Sequence, residues 1–237
     1  MDFLDKRVTV ITNELNKLKV KQSIKLDSFM YKEGNFLRPT DVDLDPCEWK
    51  TFNCDKDHWY GKDKHYWFRT NYTVEDSFNG KSLWLHISTQ IDEWDDAKNP
   101  QFLLFINDKI IQGIDMNHRD VLITKNAKEG DVYKIDLQSY TGILHSEFNL
   151  IARIEEIDSK IEDLYYDLLV PLESFSRMDK TSKYYLDILN ILNETVNLLD
   201  LRNPYDTSFY NSLDTDSKYI KKELYENSSI SMQWSRN

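Results

Sequence analysis

The sequence predicts an α+β fold in which a central β-sandwich of the jelly-roll type is flanked by an N-terminal helix and a C-terminal helical segment. Three observations support this prediction. All six glycines lie between residues 34 and 142, so the turn-forming residues are concentrated in the middle of the chain. That middle contains short segments in which apolar and polar residues alternate, which is typical of half-buried strands. Both ends instead carry apolar residues three or four positions apart, which is typical of amphipathic helices.

The first helix is predicted from an apolar stripe near the N-terminus. Its members recur at intervals of four, three, four and three residues, which places them on one side of a helix. They are Leu4, Val8, Ile11, Leu15 and Leu18. The segment GNFLRPTDVD at 34–43 then follows no regular pattern. We therefore assign residues 1–44 to an N-terminal helix and a linker.

Residues 45–157 are predicted to form the sandwich. In HYWFRTNYTV, at 65–74, the large apolar side chains at 66, 68, 72 and 74 share one parity, and SLWLHIST, at 82–89, repeats this pattern. Further apolar segments follow as QFLLFIND, KIIQG, DVLIT, VYKIDLQSY and EFNLIARIEEI. About eight short strands at regular spacing, joined by Gly, Asn and Asp turns, favour a β-sandwich or jelly roll.

The C-terminal part is predicted to begin with a helical hairpin at 158–203. Ser159 and Glu162 match the S-x-x-E capping pattern, which favours the start of a helix at this point. Pro171 is expected to kink or divide that helix, because proline lacks the N–H that a helix interior requires. A second helix of strong apolar periodicity follows it.

The last part, 204–237, is predicted to be a connector helix followed by a polar tail. We expect the connector to cover 205–226 and to lack a packing partner within the chain, so that it is either the most mobile helix or covered by a second copy. Its apolar residues are Phe209, Leu213, Ile220 and Leu224. The N-terminal helix is instead expected to pack against the helices at 159–175 and 181–201, since an isolated helix of this length is only marginally stable in water.

The composition favours a cytoplasmic protein that binds neither nucleic acid nor membranes. The chain has 30 Lys and Arg against 41 Asp and Glu, a net charge of −11, whereas binding to phosphate backbones and anionic membranes depends on Lys and Arg. No apolar segment approaches the roughly 20 residues that span a bilayer, and the charged N-terminus does not resemble a signal peptide. A disulfide between Cys47 and Cys54 is conceivable, but reduced thiols fit a chain with so few cysteines better.

The segment GIDMNHRDVLITK at 113–125 contains His118-Arg119-Asp120, which invites two catalytic interpretations. A kinase catalytic loop requires Asn five residues after the Asp, and position 125 is lysine. A metal site requires three or four ligands, and one His-x-Asp supplies only two. The sequence therefore argues against a kinase and supports a metal ion at Asp120 only weakly.

Two other sets of residues could contact a ligand. The segment DEWDD at 92–96 could hold a cation or a sugar, although such segments are more often solvated loops. Aromatic side chains could stack on a sugar ring, although in a sandwich they more often belong to the core. The candidates for sugar contact are Trp59, Tyr60, Trp67 and Trp94. We assign no catalytic residue, because the sequence contains no nucleophile motif such as G-x-S-x-G.

Several segments, taken in their order along the chain, carry a resemblance to a known family. HYWFRTNYTV, KSLWLHIS and FLLFINDKIIQGID resemble the sandwich found beside many glycoside hydrolase catalytic domains. QGIDMNHRDVLITKNAKEGDVYKIDLQSYTG, LYYDL and LNETVNLLDLR then resemble, in that order, the N-terminal region of family 38 α-mannosidases of the bacterial and vacuolar-cytosolic type. The most specific residues are Asp115, Asn117, His118, Arg119 and Asp120, ahead of Gly130.

The resemblance implies a galactose-binding-like sandwich in the non-catalytic part of a metal-dependent, retaining α-mannosidase. It also implies that the turn 115–120 is structural or makes an interdomain contact, and that Asp120 is not a metal ligand. The family's metal ligands, nucleophile and acid/base residue come after this region. The chain is therefore expected to be an N-terminal fragment that is inactive alone and holds no cofactor, while the divalent metal, expected to be zinc, belongs to the parent's catalytic domain.

Three functions are compatible with the sequence. The favoured one is an accessory region that supports a catalytic domain and contributes to an oligomer contact. The alternative is a carbohydrate-binding module, and the third is an independent glycan hydrolase. The expected partners are the parent's own catalytic domain, a second copy of the chain in a homo-oligomer and, for the parent, α-mannoside glycans; nucleic acids and membranes are not expected.

Overall fold

The computed structural model of the chain describes residues 3–90 and 100–226. The chain divides into two compact units, which we call the helical unit (Met1–Lys21 with Ile157–Asn237) and the sandwich unit (Gln22–Glu156). Helices precede and follow the strands along the chain, so the predicted α+β class with a central β-sandwich is confirmed.

The strands form the framework of the sandwich unit. They are β1 (Val20–Lys25), β2 (Ser28–Glu33), β3 (Lys50–Asn53), β4 (Trp59–Gly61), β5 (His65–Thr73), β6 (Leu83–Ser88), β7 (Gln101–Ile106), β8 (Lys109–Ile114), β9 (Asp120–Thr124), β10 (Val132–Tyr140), β11 (Ser146–Phe148) and β12 (Ile151–Ile157). The helices are α1 (Phe3–Leu18), α2 (Pro39–Leu44), α3 (Ser159–Ser174), α4 (Lys183–Leu198) and α5 (Thr207–Ile220), and a π-helical turn, Lys221–Glu226, follows α5.

Two sheets of the described residues enclose the sandwich core. One has the strand order β1-β12-β6-β9 and the other β3-β2-β5-β10-β7-β8, while β11 and β4 form a separate pair. Buried side chains from both sheets form one continuous cluster, in which Phe68 of β5 and Leu85 of β6 are completely buried. Burying each such side chain contributes about 1.5–3 kcal/mol, and the predicted alternation in β5 and β6 places them there.

The second face of the longer sheet is covered as well. Trp67 and Phe105 project from β5 and β7 on this face and are buried together with Val42 of α2. Arg69 of β5 lies on the same face, where it bonds to Asp136 of β10 and Asp43 of α2. Because α2 and its flanking segments cover this face, β5 is buried on both sides, and the W-F-R segment is part of the core.

The helical unit has its own core, built mainly by one face of each helix. Val8 and Leu15 of α1 are completely buried among apolar residues of the other helices, and α1 packs against both α3 and α4. The hydroxyl of Tyr185 on α4 also donates to Asp5 of α1 at 3.0 Å. The expected packing of the N-terminal helix on the two helices at 159–175 and 181–201 is therefore confirmed.

Helix α3 differs from the prediction at its N-cap, and of the two effects expected of Pro171, a kink or a division, the structure excludes the division. Asp158, rather than Ser159, is the N-cap residue, since its carboxylate accepts from the backbone N–H groups of Lys160 and Ile161. Pro171 lies buried inside the helix, which continues to Ser174 instead of dividing. Proline leaves the carbonyl four residues earlier without its helical N–H, and that carbonyl, of Asp167, accepts from the hydroxyl of Tyr225 at 3.5 Å.

Two boundary assignments differ from the structure. Residues 20–33, which we assigned to a linker, form β1 and β2. β1 pairs with β12 at a sheet edge, and half of the side chains of β1 are exposed there, so that β1 requires no apolar alternation. The connector at 205–226 was expected to lack a partner, but its apolar residues belong to the core of the helical unit. They pack against α3 and α4, which offer one-sided apolar faces to α5 as well as to α1.

Candidate functional site

The turn between β8 and β9 carries the residues with the most specific sequence pattern. Asp115 organises it, because its Oδ1 atom accepts from the backbone N–H of Asn117 at 2.8 Å and from that of His118 at 2.9 Å. The Nδ1 atom of His118 lies 2.9 Å from the same oxygen. Partial burial raises the pKa of Asp115, but these hydrogen bonds outweigh it and hold the pKa below its usual value. The cavity beside the turn measures about 10 Å³, close to the minimum for one water molecule.

The structure separates the two members of the His-x-Asp pair. His118 contacts Asp115 in the turn, whereas Asp120 begins β9 and its Oδ1 atom lies 2.6 Å from Nδ1 of His86 on β6. Arg119, between them, accepts a hydrogen bond at its carbonyl from the backbone N–H of Ile87. The end of the turn is thus tied to β6 through Arg119 and Asp120.

Asp120 instead belongs to a polar row that crosses the sheet β1-β12-β6-β9. His86 and Asp120 are directly paired across β6 and β9. Glu155 of β12 reaches the same place, and one ligand atom from each of these three side chains lies within 4.8 Å of the others. Ser23 of β1 completes the row by donating to Glu155 Oε1 at 3.2 Å.

Sequence reasoning missed His86 and Glu155. The alternation in β6 places Leu85 and Ile87 in the core, so it also places His86 on the opposite face. The alternation in SLWLHIST was therefore enough to predict on which face of the strand His86 lies. The sequence did not predict that β6 pairs with both β9 and β12, because strand order depends on the whole fold.

A second polar cluster lies on the covered face of the longer sheet. Arg69 bonds to Asp136, whose side chain is completely buried, and to Asp43, and its guanidinium lies 4.7 Å from the ring centre of Trp49. Burial alone would lower the pKa of Arg69, but the bonds to Asp43 and Asp136 outweigh it, so the guanidinium remains charged. Both carboxylates and an aromatic ring enclose this cation, which indicates a structural role.

The candidate sugar-contact residues do not form one surface. Trp59 is 2% exposed and Trp67 is 0% exposed, so neither can stack on a ligand. Trp94, with the acidic segment 92–96, lies outside the described residues. Tyr60 is 57% exposed and borders a cleft of about 540 Å³, a size suited to a small ligand. The cleft is also lined by Tyr31, Lys32, Glu33, Cys47, Glu48, Lys50, His58, Trp59, Lys64 and Tyr66.

The cysteines are not paired with each other. Cys47 is an exposed free thiol and Cys54 a buried one. Burial raises the pKa of the Cys54 thiol to about 12, so this side chain stays protonated and unreactive in the folded protein.

The fold and its sites define an α+β protein with a β-sandwich unit and a helical unit. No family model and no curated protein matches the chain. Among solved structures it is similar to β-glucuronidases of an uncultured Clostridium sp. (11% identity, TM-score 0.38, 59% of this chain and 30% of that chain) and of Faecalibacterium prausnitzii (9%, 0.37, 58% and 32%). It is also similar to the Ruminococcus gnavus β-glucuronidase (10%, 0.35, 58% and 29%).

The chain thus spans about 30% of the length of the first of these structures. The proteins are glycoside hydrolases, but a likeness with such a low TM-score carries no argument about function. The resemblance to α-mannosidases therefore rests on the sequence motifs alone. In the described part of the chain, no helix is both long and apolar enough to cross a membrane.

Proposed function

We propose that the chain is a non-catalytic accessory region of a glycoside hydrolase of the family 38 α-mannosidase type, and that it supports a catalytic domain outside this sequence. One observation carries the proposal. The residues with the most specific family resemblance bond to one another or to the neighbouring strand, since Asp115 holds Asn117 and His118 while Asp120 contacts His86. In the proposed role, such a turn would fix the end of the sandwich and would offer the catalytic domain a rigid surface.

The carboxylates at the cleft also favour a non-catalytic role. Retaining glycosidases place two carboxyl groups about 5–5.5 Å apart on either side of the bond that they cleave. At the rim of the 540 Å³ cleft, Glu33 is held by Lys64, whose Nζ atom lies 2.8 Å from Oε1. Glu33 is therefore already bound in an ion pair, although a reaction in the cleft would require its carboxylate as one of the two.

Carbohydrate binding is the second candidate function, and Tyr60 favours it. Its ring is exposed at the cleft, and sugar rings stack readily on exposed aromatic faces, because both present apolar surface of similar size. Charged side chains around the ring, among them Lys50 and Glu48, could then bond to sugar hydroxyls. In this reading the cleft would bind a saccharide without cleaving it.

The remaining parts of the proposal concern the parent protein. Its catalytic domain would supply the divalent metal, expected to be zinc, and hydrolyse α-mannosides. This chain would contact that domain and, in a homo-oligomer, a second copy of the same region. A cytoplasmic location is part of the same proposal.

Two assays on the purified chain separate the candidates. The first measures hydrolysis of an aryl α-mannoside with and without added zinc, and the second measures binding of mannose oligosaccharides by calorimetry. The accessory role predicts no hydrolysis and no saccharide binding. Hydrolysis that a chelator abolishes would contradict it.

Saccharide binding that disappears in Tyr60→Ala would instead support the carbohydrate-binding module. Tyr166→Ala is the matched control, because Tyr166 is 46% exposed and lies in the helical unit. Loss of binding in both variants would point to a nonspecific effect on the protein and exclude the cleft as the binding site.

A further inference from the structure

We propose that His86, Asp120 and Glu155 form a binding site for a divalent cation of the zinc type on the sheet β1-β12-β6-β9. This inference concerns the sandwich unit alone and does not depend on the proposed accessory function. It also departs from the expectation that the chain holds no metal.

The first argument is the convergence of three ligands from three strands. His86, Asp120 and Glu155 lie on β6, β9 and β12, which are neighbours in the sheet. They share the face opposite the sandwich core, because their sequence neighbours Leu85, Val121 and Ile154 point into that core. Paired strands hold these positions rigidly, so the three side chains meet without any loop having to move.

The second argument is the type and spacing of the ligand atoms. One imidazole nitrogen and two carboxylate oxygens suit zinc and similar first-row divalent ions. Tetrahedral zinc ligands lie about 3.4 Å from one another, given bond lengths of about 2.0–2.2 Å. Here the atoms lie within 4.8 Å of one another, and the closest pair, His86 Nδ1 and Asp120 Oδ1, are 2.6 Å apart. Small side-chain rotations would bring these distances to about 3.4 Å, by lengthening those that are shorter and shortening those that are longer.

The third argument is charge. Glu155 is only 5% exposed, and a carboxylate removed from water requires compensation by a cation or several hydrogen bonds. The hydroxyl of Ser23 supplies one hydrogen bond. A divalent ion bound by the three side chains would supply that compensation for Glu155, and it would be bound by the neutral form of the imidazole, as metal-bound histidine is. Arg153, in register with His86 on the same face, is exposed and remains outside this group of ligands.

A structural polar row without a metal is the competing interpretation. In it, His86 and Asp120 form an ion pair, and Glu155 is held by Ser23. The two interpretations differ in one respect that can be measured. A metal site gains stability and shows stoichiometric binding when zinc is added, while an ion pair does not.

The test uses the intact chain after treatment with a chelator. Zinc chloride is titrated into the protein by calorimetry, and the melting temperature is measured with and without the metal. We expect one zinc ion per chain and a melting temperature that rises with zinc concentration. Glu155→Gln and Asp120→Asn, which preserve side-chain size, should each weaken the affinity at least tenfold, and His86→Ala should do the same.

His118→Ala is the matched control. His118 belongs to the same sequence motif and its side chain is 70% exposed, but it lies in the turn with Asp115, so its loss should leave zinc affinity unchanged. Circular dichroism of the metal-free variants confirms that each is folded. The proposal is overturned if the wild-type chain takes up no zinc, if Glu155→Gln binds zinc as well as the wild type, or if His118→Ala weakens binding as much as His86→Ala.

Discussion

Asp216 should make the helical unit less stable as the pH rises, and replacing it should remove that dependence. The residue lies on the buried stripe of α5 between Leu213 and Ile220. Its side chain is completely buried, and neither of its carboxylate oxygens has a hydrogen-bond partner. Burial accordingly raises the pKa of Asp216 to about 7, because the charged form is costly away from water.

The size of the effect follows from this pKa. The folded chain keeps the Asp216 proton up to a pH of about 7, whereas the unfolded chain loses it near the ordinary value of 3.8. The folded state therefore binds more protons between these values, and the free energy of unfolding falls as the pH rises from about 4 to about 7. About three pKa units at 1.36 kcal/mol each make a loss of about 4 kcal/mol, which is complete at pH 8.

The substitution Asp216→Asn keeps the size of the side chain and removes the charge. Removing the charge should make the variant more stable than the wild type at pH 8 by up to about 4 kcal/mol. About 1–3 kcal/mol of this gain is lost, because the amide is itself buried without a partner. At pH 5, where the folded wild type carries a neutral Asp216, the advantage should shrink by about 2–3 kcal/mol. Urea denaturation followed by circular dichroism at 222 nm measures both values.

Asp214→Asn is the control on the same helix. Asp214 is half-exposed and paired with Lys160, and such surface pairs contribute about 0–1 kcal/mol. Its substitution should therefore change stability little at either pH. An equal gain for Asp216→Asn at pH 5 and pH 8, or no gain at pH 8, would refute the reasoning from a buried, unpaired carboxylate.

Three further predictions concern the sandwich unit. Arg69→Ala should lower the free energy of unfolding by about 3–5 kcal/mol, because it removes the hydrogen-bonded cation from the buried carboxylate of Asp136 and leaves only Lys134, 3.8 Å away; a loss below 1 kcal/mol in urea denaturation would show that the pair is dispensable. Arg119→Ala should lower the melting temperature by about 2–4 °C; an unchanged melting temperature together with lost activity in the parent enzyme would make the turn an interdomain contact instead. Cys47 should react with a thiol reagent at once and Cys54 only after unfolding, which mass spectrometry of the alkylated chain checks, and two equally fast thiols would contradict the burial of Cys54.

The strands and helices with strong periodicity could be predicted from the sequence. β5 and β6 carry apolar residues on one parity, and α4 carries them on one helical face, because each element packs one side against a core. β1 could not be predicted in this way. Its place at a sheet edge depends on backbone pairing with β12, and its side chains need no apolar pattern.

The sequence also did not predict that the second face of β5 is buried. Trp67 follows the alternation of β5 and therefore lies opposite Phe68, where an ordinary sandwich strand would face solvent. It is buried because α2 and the flanking residues cover that face, and the sequence of 34–43 shows no pattern that reveals this. Trp67, one of the candidates for sugar contact, is for that reason part of the core, which is where aromatic side chains of a sandwich more often lie.

The candidate sites depend on contacts between distant residues. The sequence singled out Asp120 because it stands near His118, but the structure joins it to His86, 34 residues earlier, and to Glu155, 35 residues later. The family resemblance implied a structural turn at 115–120, and the hydrogen bonds that Asp115 makes there span only two or three residues. Local spacing could not predict which strands become neighbours and which side chains therefore meet.

The accessory role of this chain in a larger α-mannosidase is tested most directly by immunodepletion. An antibody raised against the purified chain is added to an extract of the cells that produce it, and α-mannosidase activity and the captured polypeptide are both measured, with a pre-immune antibody as control. The proposal predicts that the antibody removes α-mannosidase activity from the extract and captures a polypeptide much larger than the 28.3 kDa of this chain. Capture of a 28.3 kDa polypeptide, with all α-mannosidase activity left in the extract, would contradict it.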